Sequence, residues 1–398
     1  MTRAEPALGI DFGTCDSKAA ILADGRISLI VDEGRTHVSS TVYVPERGDL
    51  QVGSRRGEGS LRDTERIITS IKRILGRPFS DPEVRAFDQG IGYRLAPGPN
   101  DSVLVRVKDV DYAPVQIVAA VLSHLRQLAE ARVGMPITRA TMSVPVDTPP
   151  GYPDALRKAA DMAGFTASRL VYEPVAAAWG ARLPPAAQPR RVLVCDFGGG
   201  TFDCSLLIQR PDRLQVVGSA GEPLLGGDDF DTALAEAVAG QVFRSERVDL
   251  HRDQLQWAEL VRQCEAAKRR LSAEPQVVLH MPNAYVKDGA ARDLELSLQR
   301  AAVEPYWAPL VARAVEATAR ALAAAQWPAQ ILDELLLVGG TNLVPIVRRE
   351  FTRKLSKQPT AVVSSDVVVA AGLALMGATW ERTSADTGRV PAASPSLR

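Results

Sequence analysis

The feature that most constrains this chain is a short pattern written twice, once near the N-terminus and once just past the middle. Gly9-Ile-Asp-Phe-Gly-Thr-Cys-Asp-Ser17 and Val194-Cys-Asp-Phe-Gly-Gly-Gly-Thr-Phe-Asp203 each read as a strand, Asp-Phe-Gly, a turn that glycine permits, and another strand. One such hairpin is a weak signal. Two in equivalent places predict a duplicated fold.

A turn of small residues between two strands exposes consecutive backbone N–H groups, and such nests bind phosphate oxygens. Gly13-Thr14 and Gly198-Gly-Gly-Thr201 fit this description. Each follows an aspartate at a strand end, Asp11 or Asp196, where a carboxylate can hold the water shell of Mg²⁺, an ion that dehydrates reluctantly. Asp203 offers a third carboxylate. The alternative is a plain pair of hairpins with exposed acids. A third glycine site, Gly339-Gly340-Thr341, follows the strand Leu335–Val338 and leads into a helix near Pro345. Alone it reads more readily as a tight packing turn than as a ligand site.

Elsewhere β-branched runs flanked by glycine alternate with longer helical stretches, which predicts an α/β architecture. Helices are expected over 113–132, 154–163, 231–244, 254–273 and 307–325. In the first, Val118, Val121, Leu122, Leu125 and Leu128 recur at the spacing of one buried stripe. In the fourth, Glu265, Lys268, Arg269 and Ser272 share one face beside an apolar stripe of Trp257, Val261, Cys264 and Leu271. Four polar groups there either grip a ribose and a base or form a solvated face with internal ion pairs. A proline-rich joint, Leu183-Pro-Pro-Ala-Ala-Gln-Pro189, divides the chain into units at 1–183 and 184–363. A C-terminal helix within 364–382 and a mobile tail over 383–398 complete the expected organisation.

Composition removes several functions. Lysine plus arginine and aspartate plus glutamate each number 47, so no net field draws the chain to nucleic acid or an anionic bilayer. The longest low-polarity run, Val367 to Ala378, falls short of the roughly 20 residues of a membrane span, and no apolar signal segment opens the chain. A soluble cytoplasmic protein is expected. Cys15, Cys195, Cys204 and Cys264 show no C-x-x-C spacing, and the histidines show no metal-site pairing. The Walker loop, the G-x-G-x-x-G fingerprint and the G-x-S-x-G elbow are all missing, and His251-Arg-Asp253 follows both Asp-Phe-Gly copies, the wrong order for a protein kinase.

The segments Gly9–Thr14, Ile71-Lys-Arg-Ile-Leu-Gly-Arg-Pro-Phe79, Ser143-Val-Pro145, Tyr172-Glu-Pro-Val-Ala-Ala-Ala178, Asp196–Asp203, Leu225-Gly-Gly-Asp-Asp-Phe-Asp231, Cys264–Ser272 and Val338–Thr341 occur in order. Over residues 7 to 380 the chain thereby resembles the 70-kDa heat-shock (DnaK-type) chaperones, within the superfamily of actin and hexokinase. The resemblance implies two actin-like ATPase lobes of ribonuclease H-like fold, each with two subdomains, around a nucleotide cleft, with the helix of 364–382 returning to the first lobe. It implies ATP or ADP and Mg²⁺ as ligands. Gly13, Thr14, Cys15, Gly198, Gly199, Gly200 and Thr201 would cradle the phosphates. Asp11, Glu173 and Asp196 would surround the metal through water. Lys72, with Glu173, Asp196 and Thr201, would carry catalysis, and Gly227, Glu265, Lys268, Arg269, Ser272, Gly339, Gly340, Thr341 and Asp366 would hold the rest of the nucleotide. Partners by the same resemblance are a J-domain protein or a nucleotide-exchange factor, with an unknown client or effector.

Four departures from the family pattern matter. The chain stops about where the family's nucleotide-binding domain ends, so no peptide-binding domain is expected. Pro153 stands where a relay arginine follows Pro145, Leu343 stands where an arginine stacks on adenine, and Cys15 replaces a threonine. The expected function is a slow Mg²⁺-dependent ATPase that acts as a nucleotide switch through partner proteins. The alternatives are a nucleotide sensor with little hydrolysis and an actin-like filament protein. For Cys15 and Cys264, small buried hydrophobes are the expectation over a redox role.

Overall fold

The computed structural model describes residues 6–53, 64–88, 91–183, 187–211, 213–362 and 364–379. The centre of the proline-rich joint, at 184–186, and the expected tail lie outside them.

In the N-terminal half β1 (Ala7–Asp11), β2 (Asp16–Ala23) and β3 (Arg26–Leu29) form an antiparallel meander, and β4 (Val38–Ser39) pairs with β2. Two small three-stranded sheets follow: β5 (Val42–Tyr43) with β6 (Gln51–Val52) and β7 (Ile67–Ile68), then β8 (Arg94–Pro97) with β9 (Val103–Val107) and β10 (Val110–Tyr112). β11 (Arg139–Val144) and β12 (Ala167–Tyr172) rejoin the first sheet parallel to β1, in the order β12-β11-β1-β2-β3. In the second half β13 (Arg190–Phe197), β14 (Phe202–Gln209) and β15 (Leu214–Glu222) form another antiparallel meander. β16 (Gln276–Lys287) and β17 (Ala290–Gln299) make a separate hairpin, and β18 (Glu334–Val338) lies parallel to β13, giving the order β15-β14-β13-β18. Both main sheets are thus a three-stranded meander continued by parallel pairing on its first strand. The duplicated hairpin is the centre of each.

β13 is buried on both faces, because Val192, Leu193, Val194, Cys195 and Phe197 form an almost continuous apolar run. Phe197 and Phe202 close its hairpin edge to face, with ring centroids 5.0 Å apart. Such a strand end is rigid, and Asp196 sits on it.

The helices are α1 (Pro82–Asp88), α2 (Pro114–Val133), α3 (Tyr152–Met162), α4 (Glu173–Gly180), α5 (Gly227–Glu246), α6 (Gln254–Leu271), α7 (Arg300–Ala324), α8 (Pro345–Leu355) and α9 (Val368–Gly377). The α/β class is borne out. Three helices start earlier than the sequence pattern predicts, α3 by only two residues. α5 takes in the acidic Gly227–Phe230 segment, because Asp229 reaches back to accept from the Gly226 N–H at 2.7 Å. α7 begins seven residues before Trp307 and runs through Pro305 and Pro309, because burial of Val303 and Trp307 and the bond from Trp307 Nε1 to the Phe230 carbonyl (3.0 Å) outweigh the missing backbone donors. No helix among the described residues is long and apolar enough to cross a membrane.

α4 and α9 lie between the two sheets. Val368, Val369, Leu373 and Met376 of α9 share a core with Val192, Val194, Leu336 and Val338 of the second sheet. The opposite side of α9 meets the first sheet backbone to backbone. A Cβ added at Gly9 would lie under 3.0 Å from Ala374; against α4, one at Gly372 would be equally close to the Ala176 carbonyl.

Candidate functional site

Between the sheets opens a cleft of about 1360 Å³ lined by both duplicated hairpins, by Lys72, Glu173, Lys268 and Arg269, and by Gly339–Thr341 and Asp366. All of the residues singled out in the sequence as candidate ligands or catalysts border it.

The two turns are built alike. In the first, Ser40 supports the carbonyls from behind, its N–H donating to Cys15 (2.7 Å) and its hydroxyl to Gly13 (2.9 Å). In the second, the carbonyls of Gly198 and Gly199 accept from Gly227 N (3.0 Å) and Asp228 N (2.8 Å), at the start of α5, and Gly198 also accepts from the Thr341 hydroxyl at 2.8 Å. The N–H groups of Thr14, Cys15, Gly199 and Gly200 donate to nothing among the described residues. Carbonyls held and N–H groups unspent is the arrangement of an anion nest. The third glycine site serves both purposes the sequence left open. Gly339 has a left-handed φ of 87° and would clash with Asp196 and Phe197 if it carried a Cβ, whereas a Cβ at Gly340 would meet nothing within 4 Å. The first is a packing turn, and the second leaves room beside the chain.

The acids converge on the cleft floor. Asp11 accepts from the Ser143 hydroxyl at 2.8 Å, and Glu173 Oε1 accepts from Lys72 Nζ at 2.8 Å. Burial raises Asp196 to about 8, assisted by the charges of Glu173 and Asp11, and burial raises Asp203 to about 7, with Glu173 adding to it. Burial also raises Glu173, against the pull of Lys72. Lys72 lies on a 3₁₀ turn, Ile71–Ile74, whose isoleucines are buried. Burial works against its charge, but Glu173 outweighs that and holds Lys72 above the ordinary lysine value. No three metal-type side chains among the described residues stand close enough together to bind an ion directly.

On α6 the shared face of Glu265, Lys268, Arg269 and Ser272 divides in two. Lys268 is buried and donates to Asp231 Oδ2 (2.7 Å) and to the Gly227 carbonyl (2.8 Å), tying α6 to α5. Ser272 donates back to the Lys268 carbonyl at 3.1 Å. Glu265 and Arg269 pair at 2.8 Å, and Arg269 also reaches Asp16 of the opposite hairpin at 3.6 Å. Leu343 stands more than half exposed in the cleft wall, so the position that lacks the arginine is an apolar platform.

Three participants escaped the sequence reading. Asp228, on α5, accepts from the Cys15 thiol at 3.2 Å, and Arg73 Nη2, beside Lys72, donates to the Gly200 carbonyl at 3.2 Å, so each ties one hairpin to an element of the other half. The third is Lys18, on β2 directly across from Asp11. The period of two along Asp16, Ser17 and Lys18 was the available signal for it. Burial and then Asp228 push the Cys15 thiol far up, and burial lifts Cys264 to about 12. Neither is a thiolate near neutrality. All four cysteines of the native protein are therefore expected to resist iodoacetamide at neutral pH and to react once unfolded, and rapid native labelling of Cys15 would overturn that assignment.

A family model described as Hsp70 protein matches residues 7–388. Chaperone protein DnaK 3 of Synechococcus sp. is 33% identical over 374 residues, which is 92% of this chain and 57% of that relative. The chain therefore spans little more than half the length of the curated relative it matches. Both findings bear out the resemblance carried by the motifs.

Proposed function

The chain belongs to the Hsp70 family, and from that premise we propose that these residues form an ATP-binding, Mg²⁺-dependent ATPase of chaperone type, a nucleotide switch read by partner proteins. The observation that carries this reading is the pair of facing turns with supported carbonyls and unspent N–H groups, set above the cleft-floor acids and one fixed cation. ATP phosphates would be cradled by Gly13, Thr14, Cys15 and Gly198–Thr201. Glu265, Arg269, Ser272, Gly340 and Leu343 would border the adenosine, with the Arg269 guanidinium, oriented by its pairing with Glu265, stacking on one face of the base.

The acids of the cleft floor, Glu173 buried and Asp11 and Asp196 half-buried, fit a hydrated divalent ion. Glu173 and Asp11 help to raise Asp196, yet the three are not convergent enough for direct ligation, so they would hold the ion through its water. That ion would supply neutralisation of charge on the phosphates. The protein's own contribution is positional: Lys72 is a cation fixed beside the reacting phosphoryl group, Glu173 fixes Lys72, and Thr201 and Asp196 align water on the far side. Partners of the J-domain and exchange-factor kind belong to the same reading.

Single-turnover hydrolysis of stoichiometric ATP with Mg²⁺, alongside calorimetric affinity, tests this function. Product formation with tight binding supports the switch. Tight binding without product favours a nucleotide sensor, and absence of binding removes the function altogether.

A pH signature follows from the acids. Their folded pKa values are raised, so the stability they contribute is present below the unfolded carboxylate pKa and is lost as pH rises through about 7 for Asp203 and about 8 for Asp196. A cation in the cleft needs the ionised forms and reverses the trend. Mg²⁺ with ADP should therefore raise the melting temperature more at about pH 8.5 than at about pH 6, with proton release on binding at the lower pH. Equal increments at both values would show that these acids do not face the ion.

A further inference from the structure

The two hairpins differ at one position that their pairing makes equivalent. In the second, Asp196 at the end of β13 stands across from Asp203 on β14; in the first, Asp11 at the end of β1 stands across from Lys18 on β2. Residues directly opposite in an antiparallel pair project to the same side, so Lys18 shares the cleft-facing side of its sheet with Asp11. One wall of the cleft floor thus has two acids where the other has an acid and an amine.

Three lysines line the cleft, and two are fully engaged: Lys72 by Glu173 and Lys268 by Asp231 and the Gly227 carbonyl. Lys18 is half-buried and has neither a hydrogen bond nor an ion pair among the described residues. Its charge still reaches acids elsewhere on the cleft floor, lowering Asp196 and Glu173 against the burial that raises them. An ammonium removed from much of its water, with three donors and no acceptor, is a costly thing to keep. A ligand rich in anionic oxygens, seated on the adjacent nest of Thr14 and Cys15, would supply the missing acceptors.

We propose that Lys18 is a phosphate-binding residue of the cleft that takes over part of the charge neutralisation otherwise left to the metal ion. This rests on the nucleotide reading above, and it predicts that the protein holds a nucleoside diphosphate without a divalent cation better than the acids alone would permit. A residue serving only as counter-ion to the acids would not discriminate between phosphorylated and unphosphorylated ligands.

Affinities for ADP and for adenosine, each in excess EDTA and in Mg²⁺, are to be compared in the wild type, Lys18→Met and Lys18→Arg. In EDTA the methionine variant should lose about ten-fold or more in ADP affinity, with a smaller loss in Mg²⁺, unchanged adenosine binding, and recovery in the arginine variant. Unchanged ADP affinity in EDTA, or an equal loss for adenosine, would overturn the role of Lys18. Failure of the wild type to bind either ligand would instead overturn the nucleotide site itself and the proposal with it. Lys18→Gln carries the same comparison if the methionine variant does not fold.

Discussion

Lys72→Ala is expected to slow single-turnover ATP hydrolysis by about 10²-fold or more, roughly 3 kcal/mol of barrier, while ATP still binds. The size follows from how the ammonium is held. Ile71 and Ile74 anchor its turn in the core, Glu173 accepts from it at 2.8 Å, and side-chain exposures of 13% and 11% keep both partners away from bulk water. A cation so placed needs no reorganisation when charge develops, which is the condition under which an electrostatic contact acts on the barrier more than on binding. Removing it leaves Glu173 buried without its partner, and a carboxyl already raised by burial then takes up a proton. Two roles are lost with one side chain, so Lys72→Ala with Glu173→Gln should be little slower than Lys72→Ala alone. Lys72→Arg restores charge but not shape and is expected to recover only part of the rate. An unchanged rate in the alanine variant would remove Lys72 from the mechanism.

The second large effect is a reversal of sign. Gly→Ala inside a helix ordinarily stabilises by up to about 1 kcal/mol, because glycine has more conformational freedom to lose. Gly240, in α5, is such a case: its added Cβ would meet only the mobile end of Arg244, at 3.4 Å. Gly372, in α9, is the opposite case, since its Cβ would fall under 3.0 Å from the carbonyl and backbone of Ala176 and from Gly180 N. Neither neighbour is a side chain that can turn away. Gly240→Ala should gain stability, whereas Gly372→Ala should lose about 3 kcal/mol or more, read by denaturant melts of the two variants against the wild type. Stabilisation by both would mean that α4 and α9 are not in backbone contact.

The parts of this molecule legible in the sequence are those where local chemistry and tertiary role coincide. Gly198–Thr201 must form a tight turn whatever surrounds it, and Asp196 must end a strand that is apolar on both faces, so both could be read directly. The first seven residues of α7 were not legible, because only the burial of Trp307 beneath Phe230 makes those earlier turns worthwhile. Arg73 and Asp228 were invisible for another reason. Each lies beside a louder residue, Lys72 or the Gly226-Gly227 pair, and acquires meaning only from the opposite hairpin, which is distant in sequence. Lys268 has the right helical face for a ligand contact but turns beneath the helix to Asp231, a choice that one-dimensional spacing does not encode.

Helix α9 has a mechanical consequence. It adheres to the first sheet through a backbone seam of glycine and alanine, and to the second through ordinary side chains such as Val368 and Leu373. The seam admits almost no slip, while interdigitated side chains yield by small rotations. The two hairpin turns, by contrast, are fastened across the cleft by a few polar contacts: the Cys15 thiol on Asp228 and the Arg73 guanidinium on the Gly200 carbonyl. The molecule is built like pliers, with a stiff rivet at α9 and light catches at the jaws, a construction in which the contacts easiest to exchange are those farthest from the fulcrum.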